Sequence, residues 1–202
     1  IDIDSDKKTI YVEHAKGGRP PTFGGGGMSI HDVVRQEMLN IMREGDYRIE
    51  VGEHKVDFID VIAKDLFQES IETFKSFELS ENSIIQIGNT TYLFTWLGDK
   101  AVNTIVALLT AKGFEVGSYA GVIEISKSSA VEITEVLDQL SCAPLPTADQ
   151  LAGLVPEKRL EKFDEYLPDE LLCLGYGAYG FDIEKTALYL KTNNRKFFVY
   201  KD

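Results

Sequence analysis

The side chains best suited to acid–base or metal chemistry in this sequence are histidines and adjacent carboxylates. The only imidazoles are those of His14, His31 and His54. No two of them stand four residues apart, the spacing that brings two zinc ligands to one face of a helix. The carboxylate pairs Asp164/Glu165 and Asp169/Glu170 lie in amphipathic or helix-capping contexts, which favours a structural role over an acid–base couple. Neither group predicts an active site.

A glycine-rich segment is the other candidate, because backbone N–H groups in such loops can surround a phosphate chain. Gly24–Gly27 is followed by Met28 and Ser29, without the lysine that a Walker loop needs. No G-x-G-x-x-G follows a strand and opens a helix, and no G-x-S-x-G motif occurs. We therefore expect this chain not to be an enzyme and to hold neither cofactor nor metal.

The charge of the chain limits its partners. Its 33 Asp and Glu against 21 Lys and Arg give a net charge of −12 and a pI near 4.7. A field of that sign does not hold a protein on nucleic acid or on an anionic membrane, so such contact needs a local basic patch. Most of the excess acid lies in residues 51–141, whereas the stretch from His14 to His31 has no carboxylate and contains Lys16 and Arg19.

The compartment follows from what the sequence lacks. Cys142 and Cys173 are too few for a disulfide framework and have no zinc-ligand spacing. No apolar run approaches the ~20 residues of a membrane-spanning helix, and the sequence begins with neither methionine nor a signal pattern. We expect a cytoplasmic domain without membrane contact, cut from a longer polypeptide.

Two amphipathic helices are predicted in the first part of the chain. A capping box at Ser29–Asp32 opens the first, which turns Ile30, Val34 and Met38 inward and ends at Gly45. The second carries an inward stripe that begins at Val56, includes Leu66 and Phe74, and ends at Phe77. Before them, residues 9–13 read as a strand.

The middle of the chain repeats one pattern. A hairpin around Gly88-Asn89 precedes a helix capped by Asp99, and a second hairpin over 114–126 precedes a helix with a capping box at Ser129–Glu132. Two strand-strand-helix units bury their apolar positions best as an antiparallel sheet with helices on one face. The predicted fold class is therefore α+β.

A proline-rich break at Ala143–Thr147 divides the chain into two predicted parts. Residues 1–141 form an α+β domain with a Gly/Pro-rich loop at 16–28. Residues 142–202 form a mainly helical subdomain packed on it, with short helices and a closing strand at 196–200.

Three segments together resemble the C-terminal region of large superfamily 2 DEAD/DEAH-box helicases of the Lhr type. The first is Gly17–Gly27, which matches a G-G-x-x-P-x-F-G-G pattern between a strand and a helix. The second places Trp96, Gly98 and Asn103 ahead of an apolar helix. The third, Lys162–Leu172, matches K-F-D-x-x-L-P-x-x-L-L. They occur in the order found in that family and span about residues 10 to 190.

The resemblance implies an ATP-dependent helicase as the parent protein, with this chain as its non-catalytic C-terminal accessory domain. ATP and Mg²⁺ would bind only in the parent's motor domains, because the phosphate loop and the D-E-A-D/H box are not in this sequence. The expected partners are those motor domains of the same polypeptide and single-stranded DNA or RNA.

The candidate strand contacts are residues that combine positive charge with aromatic or amide groups, as phosphate and base contacts require. They are Lys16, Arg19, Phe23, Trp96, Lys100 and Asn103. The alternative for Trp96 is a core aromatic, and for Asn103 a packing or capping polar residue. Lys16 and Arg19 could equally pair with acids of a motor domain, and the glycine-rich loop could be a plain linker.

A second function remains open at this point. The acidic middle of the chain, residues 51–141, also fits a protein-interaction or scaffold domain that binds a basic partner and never contacts nucleic acid.

Overall fold

The computed structural model of the protein describes residues 2–4, 9–11, 29–193 and 195–200. Lys16, Arg19 and Phe23, together with the whole 16–28 loop, lie outside the described residues. The predicted strand at 9–13 is confirmed over Thr9–Tyr11, antiparallel to Asp2–Asp4, and residues 12 and 13 lie outside the described residues.

Along the described chain, pairs of strands are followed by single helices as far as α4, and three more helices and one strand come after it. The strands are β1 (Asp2–Asp4), β2 (Thr9–Tyr11), β3 (Ile49–Val51), β4 (His54–Val56), β5 (Ile84–Ile87), β6 (Thr90–Phe94), β7 (Glu115–Tyr119), β8 (Val122–Ser126) and β9 (Phe197–Tyr200). The helices are α1 (Asp32–Glu44), α2 (Val61–Ser76), α3 (Asp99–Ala111), α4 (Ala130–Cys142), α5 (Ala148–Ala152), α6 (Asp169–Gly180) and α7 (Ile183–Thr192), with a 3₁₀ turn at Asp164–Tyr166. None of these helices is both long and apolar enough to cross a membrane.

The central sheet confirms the α+β prediction and its two strand-strand-helix units, β5-β6-α3 and β7-β8-α4. Its five strands lie in the order β7-β8-β6-β5-β9. Both hairpins are antiparallel, and Gly88 begins the first turn with a φ of 56°. The closing strand β9 is also confirmed, but it pairs parallel to β5, so the sheet is mixed rather than wholly antiparallel.

The two faces of this sheet are packed very differently. One face carries Leu93, Ile123 and Ile125, which are fully buried under α3 and α4 in the larger of two apolar clusters. The other face carries Ile85 and Phe198, covered by α1 and α2 in a cluster with only four buried members among the described residues. Because side chains alternate along a strand, β5 supplies one cluster with Ile84 and the other with Ile85.

The prediction for α1 is wrong in its cap and in its buried face. His31, not Ser29, is the N-cap, and its Nδ1 accepts a hydrogen bond from the Val33 N–H at 3.2 Å. Val34 is 51% exposed, and Ile30 and Met38 are also exposed, whereas Arg35 and Leu39 are buried. The helix is rotated in this way because the guanidinium of Arg35 pairs with Asp99 beneath it.

The prediction for α2 begins too early. Val56 lies in the hairpin β3-β4, whose turn uses Gly52 at a φ of 64°, and the helix starts after Asp60, whose carboxylate accepts the Ala63 N–H. Phe74 is buried as predicted, but Leu66 is 59% exposed. The apolar spacing continues across the hairpin, so periodicity alone did not mark the true start.

The segment after Ala143 contacts the rest of the domain on several sides. Helix α7 packs on α3 and α4, α6 packs on α3, and β9 joins the sheet. The division at residues 141/142 stays a prediction.

Helices α5 and α6 cross so closely that one glycine of α6 has no room for a side chain. A Cβ on Gly177 would lie 2.7 Å from the Ala148 carbonyl carbon, whereas a Cβ on Gly175 would have no atom within 4 Å. We expect Gly177→Ala to lower the free energy of unfolding by about 1–3 kcal/mol, the usual cost of overpacking. Gly175→Ala is the matched control and should be neutral or stabilising by up to ~1 kcal/mol. Urea unfolding of both variants measures the difference, and equal stabilities would contradict this packing.

Candidate nucleic-acid interface

The start of α1 and the start of α3 are joined by hydrogen bonds in which backbone N–H groups of each segment donate to the other. The Asp99 N–H donates to the Ile30 carbonyl at 2.9 Å, and the Ile30 N–H donates to the Asp99 carboxylate at 2.8 Å. The Gly98 N–H donates to the Asp32 carboxylate at 2.8 Å. Each carboxylate thus accepts a hydrogen bond near the N-terminus of the other helix, where a negative charge is favoured. The prediction that Asp99 caps α3 is wrong, because Asp99 is the first residue of the helix and Gly98 is its N-cap.

Gly98 is required at this junction for space. A Cβ there would lie 2.7 Å from the Ile30 carbonyl oxygen and 2.8 Å from the Asp32 nitrogen, both of them backbone atoms. Two residues earlier, Trp96 has a φ of 55°, a left-handed conformation that is uncommon for a bulky side chain. The close approach of the two backbones explains why the second residue after Trp96 in this motif is a glycine.

Ion pairs surround the junction. The Arg35 guanidinium lies 3.3 Å from the Asp99 carboxylate and is 6% exposed, and Lys185 of α7 pairs with Asp32. Burial by itself raises the pKa of Asp32, but the hydrogen bonds and charge supplied by Lys185 and the Gly98 N–H outweigh it, so that the pKa falls below its ordinary value. Asp32 therefore stabilises the fold in its ionised form.

This shift predicts a pH dependence. Because the folded-state pKa of Asp32 is lowered, its contribution is complete above the unfolded-state pKa of about 3.9 and is lost as pH falls through the folded-state value. We expect Asp32→Asn to lower the free energy of unfolding by about 1.5 kcal/mol at pH 7, and the deficit to shrink below about pH 4. Urea unfolding from pH 7 to pH 3 tests this, with Asp65→Asn on the exposed side of α2 as the control. A deficit that is the same at every pH would contradict the role of the charge.

Trp96 lies between the sheet and α2. Its ring centroid is 6.2 Å from that of Phe74 and 6.3 Å from that of Phe94, and its backbone carbonyl accepts a hydrogen bond from the Gln36 amide at 2.7 Å. The side chain is half-buried and belongs to the smaller apolar cluster. Trp96 is thus partly a core aromatic and partly open to solvent, which leaves part of the indole accessible.

Lys100 and Asn103 both contact the end of α6. Lys100 Nζ lies 3.5 Å from the Ala178 carbonyl oxygen and 5.6 Å from the ring centre of Tyr179. The Asn103 amide lies 3.5 Å from the Gly180 carbonyl oxygen. Both side chains therefore reach carbonyls that a helix leaves without partners at its C-terminus. Of the six predicted contacts, three are described, and these three do not converge on one surface.

The third motif segment also has local structural contacts. The Asp164 carboxylate accepts the N–H groups of Leu160 and Glu161 at 2.8 and 2.9 Å, and Lys158 pairs with Asp169 at 3.0 Å. Pro168 is the N-cap of α6. The glycines Gly175, Gly177 and Gly180 do have G-x-G-x-x-G spacing, but they lie inside this helix rather than in a loop after a strand. Of the three, Gly177 permits the close packing of α6 on α5, and the motif forms no dinucleotide-binding loop.

A polar cleft that sequence reasoning missed is lined in part by Trp96. Its volume is about 410 Å³, and it is bordered by the second half of α1, residues 79–83, the end of β6 and the segment from α7 to β9. Arg43, Ser83, Tyr189 and Lys196 are among its lining residues. No sequence signal could have found it, because these side chains come from four separate elements.

Comparisons with known proteins identify no relative of this chain. No family model, no curated protein and no solved structure matches the chain. Within the described ranges, no three His, Cys, Asp or Glu side chains cluster closely enough to hold a metal ion.

Proposed function

We propose that this chain is the non-catalytic C-terminal accessory domain of an ATP-dependent superfamily 2 helicase, which packs on the motor domains and contacts the single strand. The observation that carries the proposal is the number of large apolar side chains that the domain leaves uncovered. On α2, Val61 and Ile62 are 71% and 72% exposed, and Leu66 stands one turn further along the same face. Apolar surface of this kind marks a contact with another protein or domain.

The motif residues support the same proposal. Trp96 and Gly98 lie at the junction where α1 and α3 begin. In the sequence, α1 begins shortly after the segment Gly17–Gly27. The strand contact would come from cations of that segment and from the accessible side of Trp96. In this proposal the motor domains of the same polypeptide bind ATP and Mg²⁺, and the accessory domain performs no chemistry.

Strand contact is tested by titrating the 202-residue chain against a fluorescent single-stranded oligonucleotide at ~50 mM and ~200 mM salt. We expect binding that weakens steeply with salt, because each phosphate contact releases a counterion. The double variant Lys16→Ala/Arg19→Ala should weaken binding at low salt by at least about fivefold. An affinity that does not change with salt, or no binding at ~50 mM salt, would overturn strand contact.

Packing on the motor is tested on α2. We expect Ile62→Ser to leave the free energy of unfolding within about 0.5 kcal/mol, because the side chain is 72% exposed. The same change should weaken binding of this chain to a motor fragment produced from the same gene. Ile71→Ser, at a position only 4% exposed, is the contrasting variant and should unfold the domain in part. Unchanged binding by Ile62→Ser would remove this face of α2 from the contact.

The acidic interaction domain remains the second candidate, and one observation favours it. Asp65, Glu69 and Glu72 all lie exposed on α2, and none of them has an ion-pair partner within the described part of the chain. A domain of this second kind would bind a basic protein in a salt-dependent way and would leave the oligonucleotide unbound.

A further inference from the structure

The cleft beside Trp96 has buried hydrogen-bonding groups without partners. The hydroxyl oxygens of Ser83 and Tyr189 are both inaccessible to solvent. Neither has a partner of good hydrogen-bond geometry within the described residues, although the Asn193 side chain lies near enough to the Tyr189 hydroxyl to affect its pKa. Burial raises the pKa of Tyr189 to about 12, an effect that Asn193 and Arg195 nearby partly oppose, so the phenol keeps its proton at neutral pH. Buried polar groups are normally paired, and these two line one cleft.

The solvent side of the same cleft carries two cations. Arg43 is exposed and donates to the Ser80 carbonyl at 3.4 Å, and no carboxylate in 29–193 or 195–200 lies within ion-pair distance of it. Lys196 pairs with Glu81 at 3.0 Å, and both side chains are more than half exposed. Exposed pairs of this kind contribute little to stability, so an incoming anion can displace Glu81. Together, Arg43, Lys196 and Glu81 give the cleft a net positive charge, although the whole chain is strongly acidic.

One wall of the cleft is aromatic and held in a strained conformation. Trp96 keeps its left-handed backbone because Gln36 binds its carbonyl and Gly98 fixes the chain that follows. Such strain persists only where the surrounding structure enforces it, and it concentrates at ligand sites. An aromatic wall, cations at the rim and hydroxyl groups at the buried end together match a ring that carries a phosphate.

We propose that this cleft binds one nucleotide of a single strand, with the phosphate between Arg43 and Lys196 and the base against Trp96. Because the hydroxyl groups of Ser83 and Tyr189 are closed to solvent in the unliganded fold, they donate to the polar edge of the base only as the cleft opens around it. The inference deepens the proposed strand contact and rests on it. The cleft volume of about 410 Å³ falls within the range of small-ligand sites and is too small for a duplex.

The test uses the fact that Trp96 is the only tryptophan of the chain, so a change in fluorescence reports binding next to this one residue, and the Arg43 variant then assigns the binding to the cleft. We expect oligothymidylate to quench that fluorescence with the same dissociation constant that anisotropy of the labelled strand gives. Arg43→Gln should weaken binding about fivefold at ~0.1 M salt and reduce the slope of log K against log salt by about 0.7, the value of one phosphate contact. Lys112→Gln, which removes one exposed cation at the far end of α3, is the matched control and should change neither value.

The outcomes separate this inference from the proposed function. Binding that leaves Trp96 fluorescence unchanged and is equally affected by Arg43→Gln and Lys112→Gln overturns the cleft alone, and the strand contact then stands elsewhere. No binding of any strand overturns both. Weaker binding by Lys16→Ala/Arg19→Ala, with the quench and the Arg43→Gln effect still seen at higher strand concentration, supports two separate contacts.

Discussion

The fold depends on the contact between the start of α1 and Gly98. Two helix N-termini face each other there, and each is stabilised by a carboxylate from the other helix. This arrangement needs the two backbones to touch, which only glycine allows at position 98. It also fixes the rotation of α1, because Arg35 must reach Asp99. The exposed apolar side of α1 and the position of Gln36 under the Trp96 carbonyl both follow from that rotation.

The central sheet separates a large apolar core on one face from a small aromatic cluster on the other. Helices α3 and α4 cover one face, and most of the buried apolar side chains of the described residues lie in the cluster there. The face under α1 and α2 has fewer buried residues and more aromatic ones, including Phe74, Trp96 and Phe198. Aromatic rings can remain partly exposed there and still pack against one another at their edges. A loosely covered aromatic face is better suited to accept a ligand or another domain than a closed core.

The sequence predicted local structure well where residues within one element determine its pattern. The hairpin at Gly88, the N-cap at Ser129 and the inward residues of α4 all depend on near neighbours. Of the predicted capping box, the structure shows the half in which the Ser129 hydroxyl accepts the Glu132 N–H. Prediction failed at α1 and α2 because the buried face of a peripheral helix is chosen by distant partners, here Asp99 for Arg35. The cleft could not be predicted for the same reason, since Arg43 and Lys196 meet only after β9 joins the sheet.

The parallel pairing of β9 with β5 has a consequence for how the chain folds. Each strand-strand-helix unit closes through contacts between near neighbours, which form rapidly. Phe197 must instead find Ile84, half a chain earlier, and this loop is costly to close. On a ribosome the two units can therefore form while β9 is still being synthesised. Until β9 arrives, the edge of β5 and the aromatic face beside it stay open, and the half-finished domain is most prone to aggregate at that stage.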